Sequence, residues 1–155
     1  MPDIDIEFQH ILLEIRLQRW AMLERFLFSY FCFKHGYLSK SGKPDWQQAR
    51  EYCRRSSSVT NTTHAELEPV VPLVAIIGEL KRTFKQSKPN EEQLREILDS
   101  LLDYVVISKE EKKRLDQLGL SHQMPKTGIK LKIKHRMLVL SWLIFCFNSQ
   151  ILFKT

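Results

Sequence analysis

Apolar residues recur at three- and four-residue steps along most of the first 120 positions. Between 4 and 33, Phe8, Ile11, Leu12, Ile15, Met22, Phe26, Tyr30 and Phe33 keep this spacing, with one gap at Gln18 and Arg19. Leu13, Leu17, Trp20, Leu23, Leu27 and Phe31 widen the apolar arc, while Arg16, Arg19, Glu24 and Arg25 hold a polar strip. The period predicts one long helix, buried on much of its circumference in its second half. Asp3 and Asp5 suit its N-terminal end through the helix dipole. His35-Gly36 suits its C-terminal stop.

Shorter periodic stretches follow. Residues 39–44 form a loop by composition, and 45–55 predicts a helix with Trp46, Ala49, Tyr52 and Cys53 inward. A Ser/Thr-rich run over 56–63 predicts another loop. Thr63 and Glu66 fit a capping box at the start of a further helix. Pro69 interrupts that pattern, and Pro72 suits a restart, with Leu73, Ile76, Ile77, Leu80 and Phe84 as the buried stripe. Gly78 weakens this helix or admits a close neighbour. Asn90 caps a helix whose stripe is Leu94, Ile97, Leu98, Leu101, Leu102 and Val105. Ser108 and Glu111 form a second capping box, and Gly119 closes the helix they open. The expected fold is therefore mainly α: a bundle of about four to five helices over residues 1–122.

After a linker over 123–128, which holds Pro125 and Gly128, the pattern changes. Ile129-Lys130-Leu131-Lys132-Ile133-Lys134 alternates strictly, as a strand with one basic face does. From Met137 to Phe147, 11 residues include one polar side chain, Ser141. The apolar run to Phe153, 17 residues broken by Asn148, Ser149 and Gln150, is short for a membrane span. The tail 129–155 thus reads as strand-like or membrane-like. Lys130, Lys132, Lys134 and Arg136 suit an acidic membrane surface, and Trp142, Phe145 and Phe147 suit insertion or burial against a partner. A buried hairpin, an apolar partner surface and an accidental AT-rich extension are competing accounts of the same residues.

Charge sharpens this division. The net charge is +6 over 155 residues, yet residues 1–125 hold 18 basic and 18 acidic side chains. The whole excess lies in Lys126, Lys130, Lys132, Lys134, Arg136 and Lys154. A neutral body argues against a broadly basic nucleic-acid-binding fold. Three scattered cysteines and an acidic start, where a secretory signal would be basic, point to a reduced cytoplasmic setting, with the tail able to attach the chain peripherally to a membrane.

Candidate chemistry is sparse. There is no phosphate loop, no G-x-S-x-G, no H-E-x-x-H and no C-x-x-C. Cys32 and His35 stand one helical turn apart, and Cys53 and His64 would complete a four-ligand set, but the spacing matches no zinc pattern, so neither metal nor cofactor is expected. Lys112, Lys113 and Arg114 could touch phosphate, but no recognition helix follows. Arg54-Arg55 followed by His64 resembles, in residue type, the Arg and His of small helical RNases of the HEPN class, which are also all-helical domains of about this size. The resemblance implies His64 as the group activating a ribose 2′-hydroxyl and Arg55 as the group stabilising phosphate charge. The spacing departs from that class, because eight residues separate Arg55 from His64.

Two functions are thereby set against each other. One is a non-enzymatic helical interaction or regulatory protein, binding another protein or itself and tethered by its tail. The other is a nucleic-acid-associated protein of a defence or mobile element, either a helical RNase or an accessory subunit. The second requires Arg16, Arg19, Arg50, Arg54, Arg55, Lys81 and Arg82 to converge on one surface.

Overall fold

A computed structural model describes residues 1–123, so the linker beyond Gln123 and the tail 129–155 lie outside the described residues. The described chain is mainly helical, with a two-stranded sheet inserted late. The elements are α1 (Asp3–Arg16), α2 (Leu23–His35), α3 (Trp46–Tyr52), β1 (Ala65–Pro69), α4 (Leu73–Ser87), α5 (Glu91–Leu101), β2 (Tyr104–Ser108) and α6 (Lys109–Gln117).

The long first helix is in fact two. Gln18 adopts φ 55°, and the break is a complete Schellman motif. Arg19 N–H reaches the Glu14 carbonyl at 2.8 Å, and Gln18 N–H reaches that of Ile15 at 3.0 Å. A 3-10 turn over Trp20–Met22 then leads into α2. The Arg19 Nε also pairs with the buried Glu14 carboxylate at 3.1 Å, tying the turn to α1. The two helices fold back on each other. Phe8 lies near Tyr30 and His10 near Phe26, a reversed order that marks an antiparallel hairpin. The gap at Gln18 and Arg19 was the sequence trace of this turn. The same apolar arc that suggested one all-round helix instead serves two helices that bury one another. Among the described residues this makes six helices.

Several stops and starts fall where the sequence puts them. Gly36 and Gly119 hold left-handed positions at the ends of α2 and α6. Asp45 caps α3 through the Gln47 and Gln48 amides, Asn90 and Gln93 form a capping box on α5, and Ser108 and Glu111 form one on α6. Leu73 begins α4 directly after Pro72. Gly78 is exposed, and a Cβ there would meet nothing, so close approach is not its reason.

The sheet was not foreseen. The expected Thr63–Glu66 capping box does not form, because Asn61 caps a short 3-10 turn and Ala65 enters β1. Val105, expected on the α5 stripe, belongs to β2. The helix stops at Leu101, and a β-branched Val-Val-Ile run pairs antiparallel with β1, Leu67 opposite Val106. The Arg55 backbone flanks the far edge of β2 in a parallel bridge. One face of this small sheet, with Leu67, Tyr104 and Val106, joins the main core of Phe8, Ile11, Leu27, Phe31, Ile76 and Leu98. The other face, with Val105 and Ile107, packs with Val70 and Leu115 in a second, smaller cluster that Leu120 covers.

Candidate functional site

The sequence nominated Arg55 and His64, and the structure places them on separate segments. Arg55 follows α3 and lies beside Val106, where its guanidinium donates to the Glu51 carbonyl at 2.8 Å. His64 ends the 3-10 turn just before Ala65, which stands opposite Ser108. β2 thus runs between their two segments. His64 lines an open hollow of about 190 Å³ with Ser58, Asn61, Ser108, Lys109 and Glu110, and Arg55 is not among its lining residues. The Ser108 hydroxyl in that hollow is already the acceptor of the α6 cap.

The Ser-rich loop that separates Arg55 from His64 is anchored, which its composition did not suggest. Ser56 O–H donates to the Glu111 carboxylate at 2.6 Å, and the same oxygen accepts the Ser108 amide at 2.8 Å. Burial alone would raise the Glu111 carboxyl. Hydrogen bonds from Ser56, Ser108 and Ser58 outweigh it and hold the group below its usual value. A carboxylate so occupied is a structural clamp and not a base awaiting substrate.

A denser group of titratable side chains gathers where α2 and α5 end. Asp99 accepts from Lys34 at 2.5 Å and from Tyr30 at 3.3 Å, and Arg54 pairs with Asp103. His35 and Tyr37 stack, with ring centroids 5.8 Å apart, against Phe31. Burial, and then Lys34, push the His35 imidazolium pKa down, favouring the neutral ring. Burial lifts the Tyr30 hydroxyl to about 12 and, beneath Tyr37, the Cys53 thiol to about 11. Cys32 is raised to about 12 by the same cause. Both thiols are therefore neutral and shielded at ordinary pH, the opposite of a reactive cysteine. Among the described residues no cluster of three or more His, Cys, Asp or Glu is arranged to hold a metal ion, so the Cys32, His35, Cys53 and His64 set does not assemble.

The basic residues named for nucleic acid are mostly neutralised in place. Arg16 pairs with Glu91, Arg19 with Glu14, Arg54 with Asp103 and Arg82 with Glu79, while Lys81 lies over the Trp20 ring. These pairs belong to different helices and connections. Lys130, Lys132, Lys134, Arg136, Trp142, Phe145 and Phe147 lie outside the described residues. No described helix is long and apolar enough to cross a membrane.

The feature that a site search by motif would miss is apolar. On α1, Ile6, Leu13 and Leu17 are exposed, Leu17 at 57 %. At 3.6 residues per turn they form one stripe on the side opposite Phe8, Ile11, Leu12 and Ile15. His10 lies on the same stripe and touches Phe26 of α2, and exposed Met22 sits at the hairpin turn. The signal was present in the sequence as apolar residues in excess of one helix face. Comparison with protein-family models, with curated proteins and with solved structures yields no match.

Proposed function

We propose that this chain is a small, non-enzymatic helical interaction protein whose contact surface is the outer face of the α1–α2 hairpin. The exposed stripe of Ile6, Leu13 and Leu17 carries this reading. Large aliphatic side chains scattered singly on a surface need no explanation, but an aligned row opposite a filled core face is what a helix presents to a partner. The partner is another protein chain, and a second copy of this one is the simplest case. The first turn of α1 is acidic and its last turn basic, so two such helices packed antiparallel would place unlike charges together.

The test is sedimentation of the full chain over a range of concentrations, alone and with Leu13→Glu and Leu17→Glu combined. Both side chains are more than half exposed, so the double variant should melt as the parent does. Concentration-dependent association of the parent, lost in the variant, is the expected result. A parent that stays monomeric, or a variant that associates equally, would remove the stripe from consideration. The nucleic-acid reading finds less support, since four of its seven cations pair with neighbouring carboxylates and the segments of its Arg55–His64 pair are divided by β2. Tethering through the tail concerns residues outside those described, and it stays an expectation from the basic-then-apolar pattern.

A further inference from the structure

The outward side of α1 is ordered as well as apolar. Ile6, His10, Leu13 and Leu17 follow one another at steps of four, three and four residues. These steps keep all four positions within about 60° of arc. Alternating steps of four and three are those by which one helix meets another along a seam. The opposite face of the same helix, with Phe8, Ile11, Leu12 and Ile15, is already committed to the main core.

The order four, three, four reads the same from either end, and its midpoint falls between residues 11 and 12. A two-fold axis through that point sets Ile6 against the partner's Leu17 and His10 against the partner's Leu13, each pair occurring twice. A second copy of the chain matches this symmetry by construction, whereas a foreign helix has no reason to. The charges at the two ends select the direction. Asp3 and Asp5 lie in the first turn of α1 and Arg16 in the last. Arg16 keeps more than half of its side-chain surface in water despite its pair with Glu91. Antiparallel copies bring each acidic turn to the partner's basic turn, while parallel copies bring like ends together and set imidazole against imidazole.

Three of the four positions are aliphatic, and the fourth can be charged. His10 rests on the Phe26 ring of α2, with centroids 5.2 Å apart, and Arg25 lies over the same ring at 4.4 Å. Its Nδ1 is 3.6 Å from the Glu7 carboxylate, too far for a hydrogen bond. The charged groups of α4 and α5 that reach the first helical segment are engaged elsewhere: Lys81 over Trp20, Arg95 with Asp5 and Phe8, and Glu91 with Arg16. The His10 side chain is 46 % exposed, so in a separate chain water solvates its charged form. Against the partner's Leu13 that water is lost, which a neutral ring tolerates and an imidazolium does not. Histidine is the side chain whose charge ordinarily changes between about pH 5 and pH 8.

We propose that two copies of this chain pack α1 against α1 in antiparallel register, His10 against the partner's Leu13, and that acidification releases them. The proposal rests on the reading of the α1 stripe given above and adds to it a register and a switch. Because the separate chains hold the histidine proton more readily, association is strongest above the histidine range and weakens as pH falls through it. The seam is about 16 Å long, which suits a weak, reversible dimer and not a permanent one.

Sedimentation of the full chain at pH 7.5 and pH 5.5 tests the switch, with melting curves confirming that it is folded at both. The dimer dissociation constant should rise about ten-fold or more on acidification. His10→Leu should associate at least as tightly as the parent at pH 7.5 and lose most of the pH dependence. That variant leaves the chain's other four histidines and the burial-raised Glu68 in place, so a pH dependence arising from any of them would persist in it and overturn the switch. Equal association of the parent at both pH values also overturns it while leaving the stripe reading intact. A parent that is monomeric at both overturns the stripe reading and this proposal together. The register is tested by mixing Ile6→Cys and Leu17→Cys chains, each also carrying Cys146→Ser, under a mild oxidant at pH 7.5. Cys32 and Cys53 are buried and do not compete. A disulfide between the two different chains is expected, and one between two Ile6→Cys chains overturns the antiparallel arrangement.

Discussion

The α1–α2 hairpin and the β1–β2–α6 unit are held together by different means. The hairpin sits on the larger core, where Phe8, Ile11, Leu12, Leu27 and Phe31 are fully enclosed with α4 and α5. The sheet and α6 share a second cluster of four buried residues, Val70, Val105, Ile107 and Leu115, of which Leu115 lies at its rim. What the second unit lacks in apolar burial it replaces with polar fastenings: the Ser108–Glu111 capping box, the Ser56–Glu111 bond and the Lys112 ion pairs. Burial is non-directional and additive, whereas such fastenings depend on geometry, so the two units should respond to different mutations.

The sharpest contrast is in truncation. Phe8→Ala removes an enclosed ring that also lies 4.0 Å beneath the Arg95 guanidinium, and it should cost about 3–5 kcal/mol in denaturant unfolding. Leu115→Ala, at the edge of the smaller cluster, should cost about 2 kcal/mol, the low end for a leucine. Equal losses would mean that the second cluster belongs to the main core and that the division is artificial. Next in size is Ser108→Ala, which deletes the α6 cap acceptor. It should cost about 1–2 kcal/mol and leave the Glu111 amide without its acceptor. The corresponding change at the start of α1 has no counterpart, since Pro2 offers no side-chain cap.

The same contrast governs what could be read from the sequence. Caps are local and chemical, so Asn90, Ser108, Gly36 and Gly119 were legible as helix ends. Buried stripes on α4 and α5 were legible because their periods run for several turns. The sheet was not, because five-residue strands are too short to set a period, and Val105 happened to continue the α5 spacing. The candidate site fared as the sheet did. The loop between Arg55 and His64 was legible in the Ser/Thr-rich run, but the 3-10 turn and strand that carry His64 to the other side of β2 were not. The stripe on α1 was visible only as an excess of apolar residues, since periodicity cannot say which side of a helix faces the core.

The turn within the first periodic segment offers a test of about 1 kcal/mol. Gln18 occupies a left-handed position that glycine fills at the ends of α2 and α6. Gln18→Gly should stabilise the protein by about 1 kcal/mol relative to Gln18→Ala, since only the β-carbon suffers there. In a continuous helix the order would reverse, with glycine worse than alanine by about 1 kcal/mol. The sign of this one difference in unfolding free energy therefore decides between hairpin and long helix without a new structure.

The smallest effect lies in pH, and it separates two carboxylates of the second unit. Glu111 is held below the usual glutamate value of 4.5, since hydrogen bonds from Ser56, Ser108 and Ser58 outweigh its burial. The unfolded chain therefore takes up its proton first. The stability Glu111 contributes is present above 4.5 and lost as pH falls through its lower folded value. Glu68 is shifted the other way by burial, with Lys112 offsetting only part. Its contribution is present below 4.5 and lost as pH rises through its higher folded value. Denaturant unfolding between about pH 3 and pH 6 should therefore show a shallower acid-side loss in Glu111→Gln. Glu68→Gln should leave the loss below 4.5 unchanged but remove the decline above it. Parallel behaviour of the two variants would show that α6 and β1 do not place these carboxylates in opposed environments, and the polar fastening of the second unit would have to be sought elsewhere.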